Sequence, residues 1–217
     1  MPDPTVDDAA ADITRIMRRV EKAFLFGVPE TTEVWLIRHA DCYQDMADAA
    51  DPPLSPLGRE QALRVGERVR AARVGAVYSS DSLRAIETAQ AIGLEVSYDP
   101  RLREIENDPR AAVQMVLNRH QSFTESAESM AKRMTEALDE IADRHPGERV
   151  AVVSHGVAIL CYVGSLMGLE IPAGLRLMPY YTSVSVVRIN LGLDRRMVGS
   201  LVDATHLTER EAPATSS

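Results

Sequence analysis

Apolar residues along this chain fall into short runs that alternate with stretches of helical spacing. Val34-Trp35-Leu36-Ile37, within 33–38, reads as a buried strand, as do Val74–Tyr78, Leu94–Tyr98 and Val150–Val153. Ser183–Ile189 and Met197–Val202, separated by Asn190-Leu191-Gly192, predict a hairpin at a sheet edge. Between the strands, Ser55 as N-cap and Pro56 at the first helical position open a helix to about residue 72. Further helices are expected over 82–92, 126–144 and 155–168, with a helical piece over 111–118. Met130, Met134, Leu138 and Ile141 form the inward stripe of the helix over 126–144, and His145-Pro146-Gly147 stops it. Such a methionine stripe reads as core rather than as a cofactor box. The β-α alternation predicts a three-layer α/β/α sandwich around a mostly parallel sheet with an antiparallel edge.

The ends of the chain differ from this middle. Ile13, Ile16, Met17, Val20 and Phe24 recur at three- and four-residue spacing within 5–26, with Arg15, Arg18, Arg19 and Glu21 between them. This is an amphipathic helix ended by Gly27-Val28-Pro29; its simplest reading is packing on the main domain, with a dimer contact or a lid as alternatives. The expected organisation is a helical extension over 1–30, the main domain over 31–204 with a variable cap insertion over 105–125, and a disordered tail over 205–217.

Composition narrows the function. Twenty-four Lys and Arg against 32 Asp and Glu give a net charge of −8 with no long basic run, which disfavours nucleic acid and anionic membrane as main partners. Cys42 and Cys161 offer neither a disulfide framework nor a CxxC metal pair. With no signal-peptide pattern and no apolar run of membrane-spanning length, a cytoplasmic protein is expected.

The chemistry gathers where strands end. Strand 33–38 delivers Arg38 and His39, strand 74–78 leads through Ser79-Ser80 to Arg84, and strand 150–153 leads to Ser154-His155-Gly156. Ligands bind at the carboxyl ends of strands in open α/β sheets. Two guanidinium groups suit a phosphate dianion, and His155 at a helix start would add a third donor if protonated. An arginine beside His39 opposes its protonation and favours a neutral, nucleophilic ring. A leaving alkoxide needs a proton, for which Glu104 is the best-placed carboxyl and Glu106 the competitor. A metal reading of His39 and Asp41 is poor with arginine beside them. His120, His145 and His206 read as surface residues.

These segments together resemble the histidine phosphatase superfamily, in the branch that includes cofactor-dependent phosphoglycerate mutase. Leu36-Ile37-Arg38-His39 is similar to its LxRHG opening, and Asp51–Ala62 to its DxPL(S/T)xxGxxQA segment. Ser79–Ala89 resembles SSxxxRAxxTA, Leu102-Arg103-Glu104 fits LxE, and Val152–Gly156 fits VVSHG. The resemblance implies a phosphoglycerate mutase-like fold and a phosphomonoester hydrolase with His39 as phosphorylated nucleophile. It implies Arg38, Arg84, His155 and Gly156 around the phosphate, Glu104 as proton donor, and neither metal nor cofactor. The implied partner is a small phosphorylated substrate or a phosphoprotein, and a homodimer is left open. Ala40-Asp41 replaces the family's Gly-Glu, Cys42 its Ser/Thr, and Asp45 an Asn that faces phosphate. The run after Glu104 has neither the GxWEG pattern of many phosphatases nor the YGxLxGxNK pattern of mutases. The alternatives are therefore mutase-type phosphoryl transfer and a pseudo-phosphatase that binds phosphorylated ligands without turnover.

Overall fold

A computed structural model describes residues 6–42, 51–105, 125–169, 177, 179–208 and 210–211. Its elements are α1 (Val6–Ala23), β1 (Thr32–Arg38), α2 (Pro56–Ala71), β2 (Ala76–Ser79), α3 (Leu83–Gln90) and β3 (Val96–Tyr98). After a 3-10 turn at Pro100–Leu102 come α4 (Ala127–Arg144), β4 (Arg149–Ser154), α5 (Gly156–Leu166), β5 (Val184–Asn190) and β6 (Arg195–Asp203).

Six strands form one sheet in the order β3-β2-β4-β1-β5-β6. The first four in that order run parallel, while β5 runs against them and pairs antiparallel with both β1 and β6, its partner in the predicted hairpin. Alternation within the strands feeds two cores. Val34, Leu36, Val150 and Val152 meet Met130, Met134, Leu138 and Ile141 of α4 and the buried face of α5. Ile37, Ala151 and Val153 point the other way, onto Val65 and Val69 of α2 and Ala85 and Ala89 of α3. The methionine stripe is core. Register matters most for the site: Arg38 lies opposite Ser154, and Ser79 opposite Val153, so three parallel strands end level.

Two expectations change. The helix before β1 does form, but every described side chain from Asp12 to Phe24 is exposed, so these side chains do not pack on the described part of the main domain. Nor is the start of the expected disordered tail free. Glu211 is buried, its backbone carbonyl accepts from Gln61 Nε2 at 2.9 Å, and its carboxylate holds Arg64 and Thr208. The expected helical piece at 111–118, Asp45, Glu106, His120 and residues 212–217 lie outside the described residues.

Candidate active site

The site is built from the ends of β1, β2 and β4. His39 leaves β1 with its N–H on Ser154 O (2.9 Å), so the nucleophile candidate is tied to the neighbouring parallel strand. The ring is buried, and its Nδ1 lies 2.8 Å from Ala40 O. A carbonyl can only accept, so Nδ1 carries the proton and Nε2 keeps its lone pair. Burial and the charges of Arg38 and Arg84 hold the ring well below the ordinary histidine range.

The next residues are clamped from two helices. Ala40 N–H donates to Thr88 Oγ1 (3.0 Å), and Asp41 N–H donates to Gln61 Oε1 (2.9 Å). Ser55 caps α2 through Gly58 N–H and donates its hydroxyl to the Asp41 carboxylate (2.6 Å). A Cβ on Gly58 would lie 1.9 Å from Asp41 O, so the loop reaches α2 only because position 58 has no side chain. Ala40 is buried against Leu54 and Ala62 and is not among the residues with left-handed backbone, so alanine meets no backbone penalty here.

The two arginines and the second histidine converge on the same place. His39 and His155 have ring centroids 5.1 Å apart. Arg84, wholly buried, donates from Nη2 to His155 Nδ1 (3.2 Å) and from Nη1 to Asp51 (3.1 Å). Arg38 donates from Nη1 to Pro179 O (2.7 Å) and lies 4.1 Å over the Tyr181 ring. Arg38 Nε and Arg84 Nε are buried without a hydrogen-bond partner among the described residues. A buried charged donor lacking an acceptor is costly, on the order of 1–3 kcal/mol or more, and an anion relieves it.

His155 departs from its expected role as a charged donor. Because Arg84 can only donate, His155 Nδ1 accepts, leaving the ring proton on Nε2 toward Ser80 Oγ (2.9 Å) and Ser82 Oγ (3.2 Å). Burial, then Arg84, keep this ring neutral, well below the ordinary histidine range. Gly156 opens α5 directly after it.

Glu104 sits at the start of the same helix. Its carboxylate accepts from Val157 N–H, Ala158 N–H and Ile105 N–H, each at 3.1 Å. Burial raises its pKa against the opposing pull of those N–H groups and of Arg38 and Arg84. The backbone around it is pinned. Arg133 of α4 donates to Arg101 O (2.7 Å) and Arg103 O (2.8 Å) while paired with Glu125, and Ser154 Oγ donates to Leu102 O (2.8 Å). Arg103 is forked onto Asp81.

All six predicted residues, Arg38, His39, Arg84, Glu104, His155 and Gly156, thus lie at adjacent strand and helix ends. Thr88, Gln61, Asp51, Tyr181 and Arg133, which hold them, were not singled out from sequence. Thr88, Gln61 and Asp51 lie inside the quoted motifs, while Tyr181 and Arg133 carry no local signal. His206 is not the surface residue expected: wedged between Arg68 and Thr182, it is pushed down to about 4, first by burial. His145 is partly buried against Tyr78 (3.0 Å). Cys42 and Cys161 are buried and form no disulfide, and burial pushes the Cys161 thiol up to about 12.

Residues 34–195 match the model of the histidine phosphatase superfamily, branch 1. The chain belongs to this family. It is 31% identical over 180 residues to a protein of Citrobacter koseri named a probable phosphoglycerate mutase, covering 71% of this chain and 84% of that relative. Among solved structures it is similar to YhfR of Bacillus stearothermophilus, with a TM-score of 0.69 and 26% identity over 81% of this chain and 98% of that one. It is also similar in fold to a phosphoserine phosphatase of Entamoeba histolytica bound to phosphoserine, with a TM-score of 0.68 and 21% identity over 82% of this chain and 100% of that one. No helix among the described residues is long and apolar enough to cross a membrane.

Proposed function

We propose that this histidine phosphatase hydrolyses small phosphomonoesters through a phosphohistidine on His39. The observation that carries the reading is the pair of buried, unpartnered Nε–H donors on Arg38 and Arg84 beside a neutral imidazole. Phosphoryl oxygens satisfy both donors and displace Asp51 from Arg84. His39 Nε2 then attacks phosphorus as the P–O bond to the leaving group breaks. Glu104, kept partly protonated by burial, gives its proton to the departing oxygen. As carboxylate it next takes a proton from the water that attacks phosphohistidine, releasing inorganic phosphate and the free ring. Neutral His155 and the amide of Gly156 line the anion and orient Arg84. Two buried cysteines without a disulfide support a reducing, cytoplasmic setting.

The relatives' mutase names favour a second reading, phosphoryl transfer between two positions of one substrate. A mutase must hold a second anion. Among the described residues, Arg59, Arg103 and Arg133 are committed to Leu54 O, Asp81 and Glu125. Hydrolysis is therefore preferred over the mutase reading and over binding without turnover.

The test is hydrolysis of p-nitrophenyl phosphate and of alkyl phosphates, with quenching in alkaline detergent to trap labelled protein. Wild type should turn over and yield an acid-labile, base-stable adduct. His39→Ala should lose both, and Glu104→Gln should lose mainly the alkyl phosphates, whose leaving groups need the proton. Binding of phosphorylated ligands with no turnover in wild type would establish a pseudo-phosphatase. Phosphate exchange between glycerate positions outrunning hydrolysis would establish a mutase.

A further inference from the structure

The side chains described on α1 carry an apolar stripe that no other described part of the chain covers. Ile13 is 62% exposed, Ile16 58%, Met17 52%, Val20 44% and Phe24 49%. The helix makes no substantial packing contact with any other described element. Only its exit is held, by buried Leu25 and by Phe26 under the Arg188 guanidinium at 4.3 Å. At 18 residues the helix is only a little longer than the length below which isolated helices are marginal in water, and in proteins most helical stability comes from burying one face.

The spacing along α1 is that of a two-stranded seam. With Ile13 at heptad position a, Ile16 falls at d, Val20 at the next a and Ala23 at the next d, and the sequence extends the repeat back to Ala9 and Val6. The flanking g positions are Asp12 and Arg19. In the sequence, the acidic residues Asp7, Asp8 and Asp12 occupy the first half, while Arg15, Arg18, Arg19 and Lys22 occupy the second, interrupted by Glu21.

We propose that α1 pairs with α1 of a second copy of this chain as an antiparallel coiled coil. When Ile13 is set against Ile16 of the second copy, antiparallel packing places the two g positions side by side. Asp12 then meets Arg19 of the other chain, twice by symmetry, and each acidic half lies against a basic half. Asp12 already leans on Arg15 one turn away (3.2 Å), so it bridges both arginines in the pair. A parallel pair would instead set Asp12 against Met17 and Arg19 against Phe24, with the two basic halves alongside each other. An anionic lipid surface gains little, because four acidic and four basic residues balance over the helix. The interface is isologous and closes, as a two-fold dimer requires.

Sedimentation equilibrium on the full chain tests the pairing. Wild type should sediment at twice the 23.8 kDa of one chain. Ile16→Asp should return the mass to that of one chain, with p-nitrophenyl phosphate turnover and thermal melting of the domain unchanged. Asp12→Arg and Arg19→Asp should each weaken the dimer, and the double swap should restore it, a rescue that parallel pairing does not give. The proposal is overturned by a monomeric wild type, by a dimer indifferent to Ile16→Asp, or by charge swaps that fail to rescue one another. It is equally overturned if the chain stays monomeric yet co-sediments with phosphatidylserine vesicles.

Discussion

His39 and Glu104 share one buried site, and burial acts on them in opposite directions. It removes the proton from an imidazole and retains it on a carboxyl, because in each case it disfavours the charged form. The nucleophile therefore stays unprotonated well below pH 6.5, while the acid stays protonated above the usual 4.5. Corrected for substrate ionisation, kcat/KM on an alkyl phosphate should show no loss at pH 6.5 on the acid side. It should fall as pH rises through the lifted Glu104 value, and Glu104→Gln should flatten that alkaline limb. A pH–rate profile of both proteins checks this, and an acid limb near 6.5 that His155 substitution leaves in place would show that His39 is not held neutral.

At the scale of elements, the site depends on how closely the loop after β1 approaches α2. Gly58 lies on that helix, where alanine ordinarily stabilises by about 0.5–1 kcal/mol. Here the added Cβ would lie 1.9 Å from Asp41 O, a backbone atom that cannot rotate away. Gly58→Ala should therefore destabilise the chain by about 3 kcal/mol, the upper range of overpacking, measured as a lower urea midpoint. Activity should fall with it, since Asp41 follows His39 by two residues. The motif containing Gly58 was legible in the sequence, but its reason was not, because that reason is a contact between segments 17 residues apart. Arg133 shows the same limit more sharply: on α4 it reads as an ordinary solvated arginine, yet it holds the Arg101 and Arg103 carbonyls just before Glu104.

At the scale of the whole molecule, the fold keeps three histidines neutral, and that makes it sensitive to acid. His39 and His155 lie well below the ordinary range and His206 is pushed down to about 4. Each takes up a proton on unfolding below pH 6.5, so the unfolded chain binds more protons and stability falls as pH falls. The stabilisation is present above 6.5 and is lost from there down through the folded values. Discounted for solvent screening at a partly exposed ring, His206 should remove roughly 1 kcal/mol by pH 5, and the two fully buried rings add to this. Urea denaturation at pH 7.5 and pH 5 measures this, and His206→Gln should reduce the difference. The same residue ties Arg68 and Thr182 to the segment before Glu211, so the described residues 205–208 and 210–211 are held to the domain where composition suggested a free tail.

The sequence by itself determined the strands, a mostly parallel sheet with an antiparallel edge, and the four side chains that meet at β1, β2 and β4. Each of these rests on local periodicity and on where an apolar run stops, while the strand order came from the fold. It could also place an amphipathic stripe on α1. Whether that stripe is covered, which proton each histidine holds, and what props Glu104 were decided only in three dimensions. Those properties arise from burial and from contacts made in the fold, such as the Ala40 carbonyl for the His39 ring, Arg84 for His155, and Arg133 on the Arg101 and Arg103 carbonyls before Glu104. A linear pattern records that a residue is polar; the surrounding structure decides whether water reaches it.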